Sequence, residues 1–112
     1  MRWEGLSLRR STRSLLLHMA GRKYGEEVLA LVLFGSEARQ EANVMSDVDI
    51  AVISLEPLSR KQLLATHPHV SLPELADVDY RIINTLANDL NIGDCLNVNY
   101  HIRREGVIIY AR

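Results

Sequence analysis

LFGSEARQEANVMSDVDIAVIS, residues Leu33 to Ser54, is the stretch whose reading settles the architecture. It opens inside an apolar run, Val28 to Phe34, with the length and composition of a fully buried strand, and it breaks at Gly35-Ser36. Ten residues later the chain resumes as a second strand headed by two aspartates. The alternation there is clean: Val48, Ile50 and Val52 point one way, Asp47, Asp49 and Ala51 the other. Two carboxylates at i and i+2 thus share one face of a strand beside a small-residue turn. Hard oxygen ligands so placed suit a divalent cation next to a phosphate chain.

Electrostatics argue for a cation there. Two carboxylates about 4 Å apart repel by roughly 4 kcal/mol at an effective dielectric near 20. An isolated Asp-x-Asp reads most simply as a turn cap followed by an exposed edge residue. Gly-Ser at this distance, and a further strand carboxylate at Asp79, tip the reading towards a metal site. In that later strand Val78, Tyr80 and Ile82 face one side and Asp77, Asp79 and Arg81 the other, so Asp79 can share the face of Asp49.

Working outward, the pattern reads α-β-α-β-α-β-α-β. An amphipathic helix over about Leu8 to Lys23 places Leu8, Leu15 and Met19 on one side. A buried strand follows over Val28 to Phe34, and then a short helix after Ser36. Asp47 to Ser54 forms the second strand, and Ser59 caps a helix reaching Thr66. Pro68 and Pro73 make His67 to Leu75 irregular. Val78 to Asn84 is the third strand. A helix runs from an Asp94 cap to Glu105, with Gly106 just past its end, and Val107 to Tyr110 is a terminal strand. The expected fold class is α/β (α+β), a small mixed sheet with helices mainly on one face.

At 112 residues, 47% hydrophobic and 24% charged, the chain reads as a single domain, residues 1–112, with one core. A net charge of −1 offers no global attraction to nucleic acid, so no direct nucleic-acid partner is expected. One cysteine, Cys95, fits a reducing cytoplasm and is read as packing. No apolar run approaches a membrane span, and Leu15-Leu16-Leu17 is too short for a signal-peptide core.

The double motif resembles that of the DNA polymerase β-type nucleotidyltransferases in their minimal form: Gly-Ser, about ten residues, Asp-x-Asp, then a third acidic residue on a later strand. Asp79 in Asp77-Val78-Asp79-Tyr80-Arg81-Ile82-Ile83-Asn84 matches the third position, and Asn97 to Tyr110 resembles the family's closing helix, glycine and strand. The resemblance implies that Asp47, Asp49 and Asp79 hold two Mg²⁺ ions and are catalytic, with Asp79 helping to deprotonate the acceptor hydroxyl. It implies that Gly35 and Ser36 bind the nucleotide, with Ser36 on the triphosphate. Arg39 matches the arginine of Gly-Ser-x-Ala-Arg and either touches phosphate or pairs with a nearby acid. One departure is Gln40, where the family often has glycine.

Larger relatives carry extra domains for base, sugar or acceptor. A bare core of this length implies an acceptor from another polypeptide, in a homo- or hetero-oligomer. The bare core resembles the minimal nucleotidyltransferases that are paired with an all-helical HEPN protein. In that group they are antitoxins that transfer AMP from ATP to a tyrosine of the HEPN ribonuclease toxin. Two alternatives remain: transfer to a small-molecule or RNA hydroxyl, and a binding module that neutralises its partner by contact alone.

Other polar residues read more plainly. His18, His67, His69 and His101 are scattered without metal spacing, and His67-Pro68-His69 reads as an exposed loop. Arg103 and Arg104 complement the dipole at a helix end. Arg81, on the Asp79 face, is the unassigned candidate for a phosphate contact.

Overall fold

The computed structural model describes residues 3–41, 47–68, 78–91 and 98–112. Helix α1 (Arg10–Ala20) is followed by β1 (Ala30–Phe34), β2 (Val48–Ser54), α2 (Arg60–Thr66), β3 (Tyr80–Leu86), α3 (Val98–Glu105) and β4 (Val107–Ala111). The sheet order is β3-β2-β1-β4. β1 lies antiparallel to both β2 and β4, and β2 lies parallel to β3. The sheet is therefore mixed, with helices, as the sequence implies.

β1 is interior to the sheet and covered on both faces, which explains its unbroken apolar run. Leu31 and Leu33 join Val48, Ile50 and Val52 beneath Leu15, Leu16 and Met19 of α1, all fully buried, and Leu63 of α2 and Leu58 just before it pack against the same cluster. Thr12, Leu15, Leu16 and Met19 recur at helical spacing, so one stripe of α1 goes inside. Each such large apolar side chain contributes about 1.5–3 kcal/mol by leaving water. On the opposite face Val32, Phe34, Ala51 and Ile53 pack against Ile102 of α3. Two helices therefore cover one face and α3 the other.

α2 begins at a capping box. Ser59 Oγ accepts from the Gln62 N–H at 3.1 Å, and Gln62 Oε1 accepts from the Ser59 N–H at 2.8 Å. Gly106 ends α3, where an added Cβ would run into the Ile102 carbonyl oxygen and Val32 Cγ1. That close approach seats β4 directly beside β1 under the helix. The bulge in β4 lies opposite Leu31 and Val32.

Sequence and structure differ at several edges. α1 is shorter than expected at both ends. β1 starts at Ala30 rather than Val28, and β3 is shifted two residues towards the C-terminus. The helix expected after Ser36 is a closed turn over 36–40, because Gln40 takes φ 62°, outside the right-handed region. The expected caps and contacts of Asp77, His69, Asp94 and Cys95 lie outside the described residues.

Candidate active site

Two observations account for the Gly35-Ser36 turn. Gly35 has φ 77°, a conformation that side chains strongly resist. A Cβ at that position would also collide with Asp49 Oδ2. Glycine thus lets the end of β1 press against the carboxylate of β2, consistent with the register Phe34↔Asp49. The turn closes through Arg39 N–H to Gly35 O at 3.1 Å and Glu41 N–H to Ser36 O at 2.8 Å.

A cavity of about 270 Å³ lies in front of the turn, lined by Phe34, Gly35, Ser36, Arg39, Asp49, Arg81 and His101. Asp49 is largely withdrawn, its side chain 17% exposed, and accepts from Arg81 Nε at 3.1 Å. The parallel register Asp49↔Arg81 sets up that pair. Burial pushes the Asp49 carboxyl above the ordinary carboxylate range; the Arg81 charge and hydrogen bond oppose this, neighbouring Asp47 adds to the rise, and Arg39 lowers it.

Arg39 is also held by acids. Its Nη1 donates to Glu105 at 2.8 Å and its Nε to Glu41 at 3.0 Å. These hydrogen bonds, Glu41 first and then Glu105, hold the guanidinium even more firmly protonated than usual. Glu105 in turn lies 3.2 Å from His101 Nδ1, one helical turn away on α3. The acid pairing that is one of the two expectations for Arg39 is formed with Glu41 and Glu105.

Asp47 immediately precedes β2 and Asp79 immediately precedes β3; both are exposed. The Val48 N–H donates to the Asp79 carbonyl at 2.9 Å, and Val48 is paired with Tyr80. The two aspartates therefore stand side by side at the head of the parallel pair, one step from Asp49. Neither lines the 270 Å³ cavity. Among the described residues, no three His, Cys, Asp or Glu side chains converge closely enough to hold a metal ion together. As a donor set the three carboxylates suit a hard cation such as Mg²⁺, and Asp49 reaches the cavity that Ser36, Arg39 and Arg81 also line.

Behind the turn lies a second charged group that the sequence reading missed. Glu37 is only 2% exposed, and its Oε1 accepts from Thr12 Oγ1 at 2.6 Å and from Arg9 Nε at 2.7 Å, with Arg9 Nη2 at 2.6 Å. Gln40 Oε1 accepts from the Ser7 N–H at 2.8 Å. His101 and Glu105 were also missed as site residues. The signal for His101 was its position four residues before Glu105 on a helix whose Ile102 faces the sheet. Nothing local marked Glu37, whose partners lie 25 and 28 residues away.

A family model for the polymerase β nucleotidyltransferases matches residues 20–112. A search of curated protein sequences returns no match. Among solved structures, the chain is similar to a toxin–antitoxin crystallised with AMP-PNP, at 16% identity and TM-score 0.56, over 93% of this chain and 75% of that one. It is also similar to a mutant of the toxin–antitoxin MntA–HpeT with two Asp-to-Glu replacements, at 19% identity and TM-score 0.52, over 94% and 75% of the respective chains. At these identities the likeness is one of fold. The family match runs from the last residue of α1 through β4, across the Gly-Ser turn and Asp47, Asp49 and Asp79, and by it the chain belongs to the polymerase β-type nucleotidyltransferase family.

Proposed function

We propose that this protein is a Mg²⁺-dependent adenylyltransferase that acts in the cytoplasm as an antitoxin, moving AMP from ATP to a tyrosine of a partner HEPN ribonuclease toxin. The observation that carries the transferase reading is the packing of Asp49 against Gly35, which brings a strand carboxylate against the glycine-serine turn and a cavity lined by Arg39 and Arg81. The toxin partner is supported by the toxin–antitoxin neighbours, one of them crystallised with an ATP analogue. The other bears its two Asp-to-Glu replacements two positions apart, the spacing of Asp47 and Asp49.

In this scheme Ser36 and the turn receive the triphosphate, while Arg81 and Arg39 exchange their carboxylate partners for phosphate oxygens. Asp47, Asp49 and Asp79 would hold Mg²⁺, which when bound neutralises phosphate charge and acidifies the acceptor hydroxyl. The acceptor oxygen bonds to the α-phosphorus, the α–β phosphoanhydride bond breaks, and pyrophosphate leaves. Asp79, exposed at the head of β3, takes the hydroxyl proton. Positioning and charge neutralisation supply most of the catalysis in such transfers.

The test is the intact mass of the partner toxin after incubation with this protein, Mg²⁺ and ATP. A gain of one or more adenylyl groups, absent with Asp47→Asn, is expected. A tight complex with no mass gain would instead favour neutralisation by contact. That second reading draws on the ion pairs of the cavity, where both arginines are already engaged by acids.

A further inference from the structure

The Arg9–Thr12–Glu37 cluster lies directly behind the Gly35-Ser36 turn and is not needed to close it, since the turn has its own backbone hydrogen bonds. The contacts from Thr12 Oγ1, Arg9 Nε and Arg9 Nη2 converge on Oε1 of a carboxylate that is 2% exposed. Gln40, in the same turn, holds the left-handed φ of 62° while its amide accepts from the Ser7 N–H and donates to the Glu37 carbonyl at 3.2 Å. The turn is therefore gripped at two points by the segment Ser7 to Thr12. That segment lies outside residues 20–112, the span of the family match. The grip thus comes from residues N-terminal to the span that the family model matches.

We infer that Arg9, Thr12 and Glu37 are positioning residues that fix the height of the Gly35-Ser36 turn for the nucleotide's phosphates. This rests on the nucleotide reading above. Burying the carboxylate of an ion pair is an expensive way to stabilise a fold, even with Arg9 only partly withdrawn, because desolvation offsets much of the attraction, and apolar replacements of similar size are often neutral or stabilising. Its effect here is geometric. Glu37 adjoins Ser36, so a shift of the carboxylate moves the serine, and a displacement of about 1 Å can cost on the order of 100-fold in a positioned reaction.

The test replaces the whole cluster by apolar side chains, Arg9→Met, Thr12→Val and Glu37→Met together. Binding of Mg·ATP is measured by calorimetry beside the thermal midpoint and the emission of Trp3. Trp3 is the single tryptophan of the chain and is buried in the α1 core, so its emission reports docking of the N-terminal segment. The expected result is an unchanged midpoint and emission with nucleotide affinity lowered about tenfold or more. Affinity within about twofold of wild type, in a folded triple variant, would overturn the inference. If the triple variant does not fold, Gln40→Gly decides, since it frees Ser7 from an exposed side chain: weaker binding sustains the inference and unchanged binding overturns it. Wild-type protein that fails to bind Mg·ATP at about 1 mM would overturn the nucleotide reading itself. That failure is distinguishable because it precedes any substitution.

Discussion

Glu37 and Asp49 stand on opposite sides of one glycine-serine turn, and their surroundings differ in kind. Glu37 sits in the dry interior with two side-chain partners converging on a single oxygen. Asp49 opens onto a cavity, accepts a hydrogen bond from Arg81, and suffers an ionisation penalty that Arg81 and Arg39 do not cancel. The first carboxylate is satisfied by the fold; the second is left in need of positive charge. Polar groups that serve structure are paired within the chain, whereas groups that serve chemistry keep capacity for an outside ligand.

The contrast can be broken or sharpened by substitution. The largest effect is expected for Asp47→Asn with Asp49→Asn. Loss of metal-dependent charge stabilisation, worth several kcal/mol, should lower transfer by at least about 100-fold with the circular dichroism spectrum retained. Retained transfer would remove these aspartates from the metal site. Next comes Glu37→Ala, which strands the partly exposed Arg9 and the buried Thr12 hydroxyl and should cost about 2–4 kcal/mol in urea unfolding. A loss under about 1 kcal/mol would mean that the cluster behind the turn contributes no more than a surface pair.

A smaller effect, of opposite sign, is expected for Asp49→Asn. The folded-state pKa of Asp49 lies above its unfolded value, so its stabilising contribution is complete below the unfolded carboxylate range and is lost as pH rises through the raised value. Asparagine cannot ionise. In EDTA the variant should melt higher than wild type at pH 7, with about 4 °C for each kcal/mol of relief, and the gain should fade on acidification. A lower midpoint at pH 7 would show that the Arg81 pair outweighs burial, and the two carboxylates would then be alike. Gln40 offers a still finer check. Alanine and glycine both delete its amide contacts, but only glycine accepts φ 62°, so Gln40→Gly should exceed Gln40→Ala by about 1 kcal/mol. Arg81→Gln should barely move stability, by less than about 0.5 kcal/mol, because its side chain is 59% exposed. A larger change would make that pair structural.

What could be read from the sequence follows from the range of the forces involved. β1 and β2 announce themselves because burial and alternation are local properties of Leu31 to Phe34 and Val48 to Ser54. The same holds for Ser59, whose capping box spans three residues. Asp49 and Arg81 could be placed on site faces, but their pairing depends on the parallel register of β2 and β3, which no local pattern specifies. Nothing local marked Glu37, because it is buried only by partners on and before α1, 25 and 28 residues away. Gln40 signalled its peculiarity only through the resemblance, which led one to expect a glycine there. It keeps the glycine-like conformation and adds side-chain contacts that glycine lacks.

The order of the strands has a consequence for how the protein must assemble. β1 meets β2 within about twenty residues of chain, but its other edge waits for a partner that begins at Val107. Until that strand arrives, Leu31 to Phe34 present a flat apolar border of unsatisfied amides, a template for pairing between molecules. Val107–Ala111 is thus the molecule's safeguard against aggregation, and a chain cut just before it should lose solubility before it loses its core.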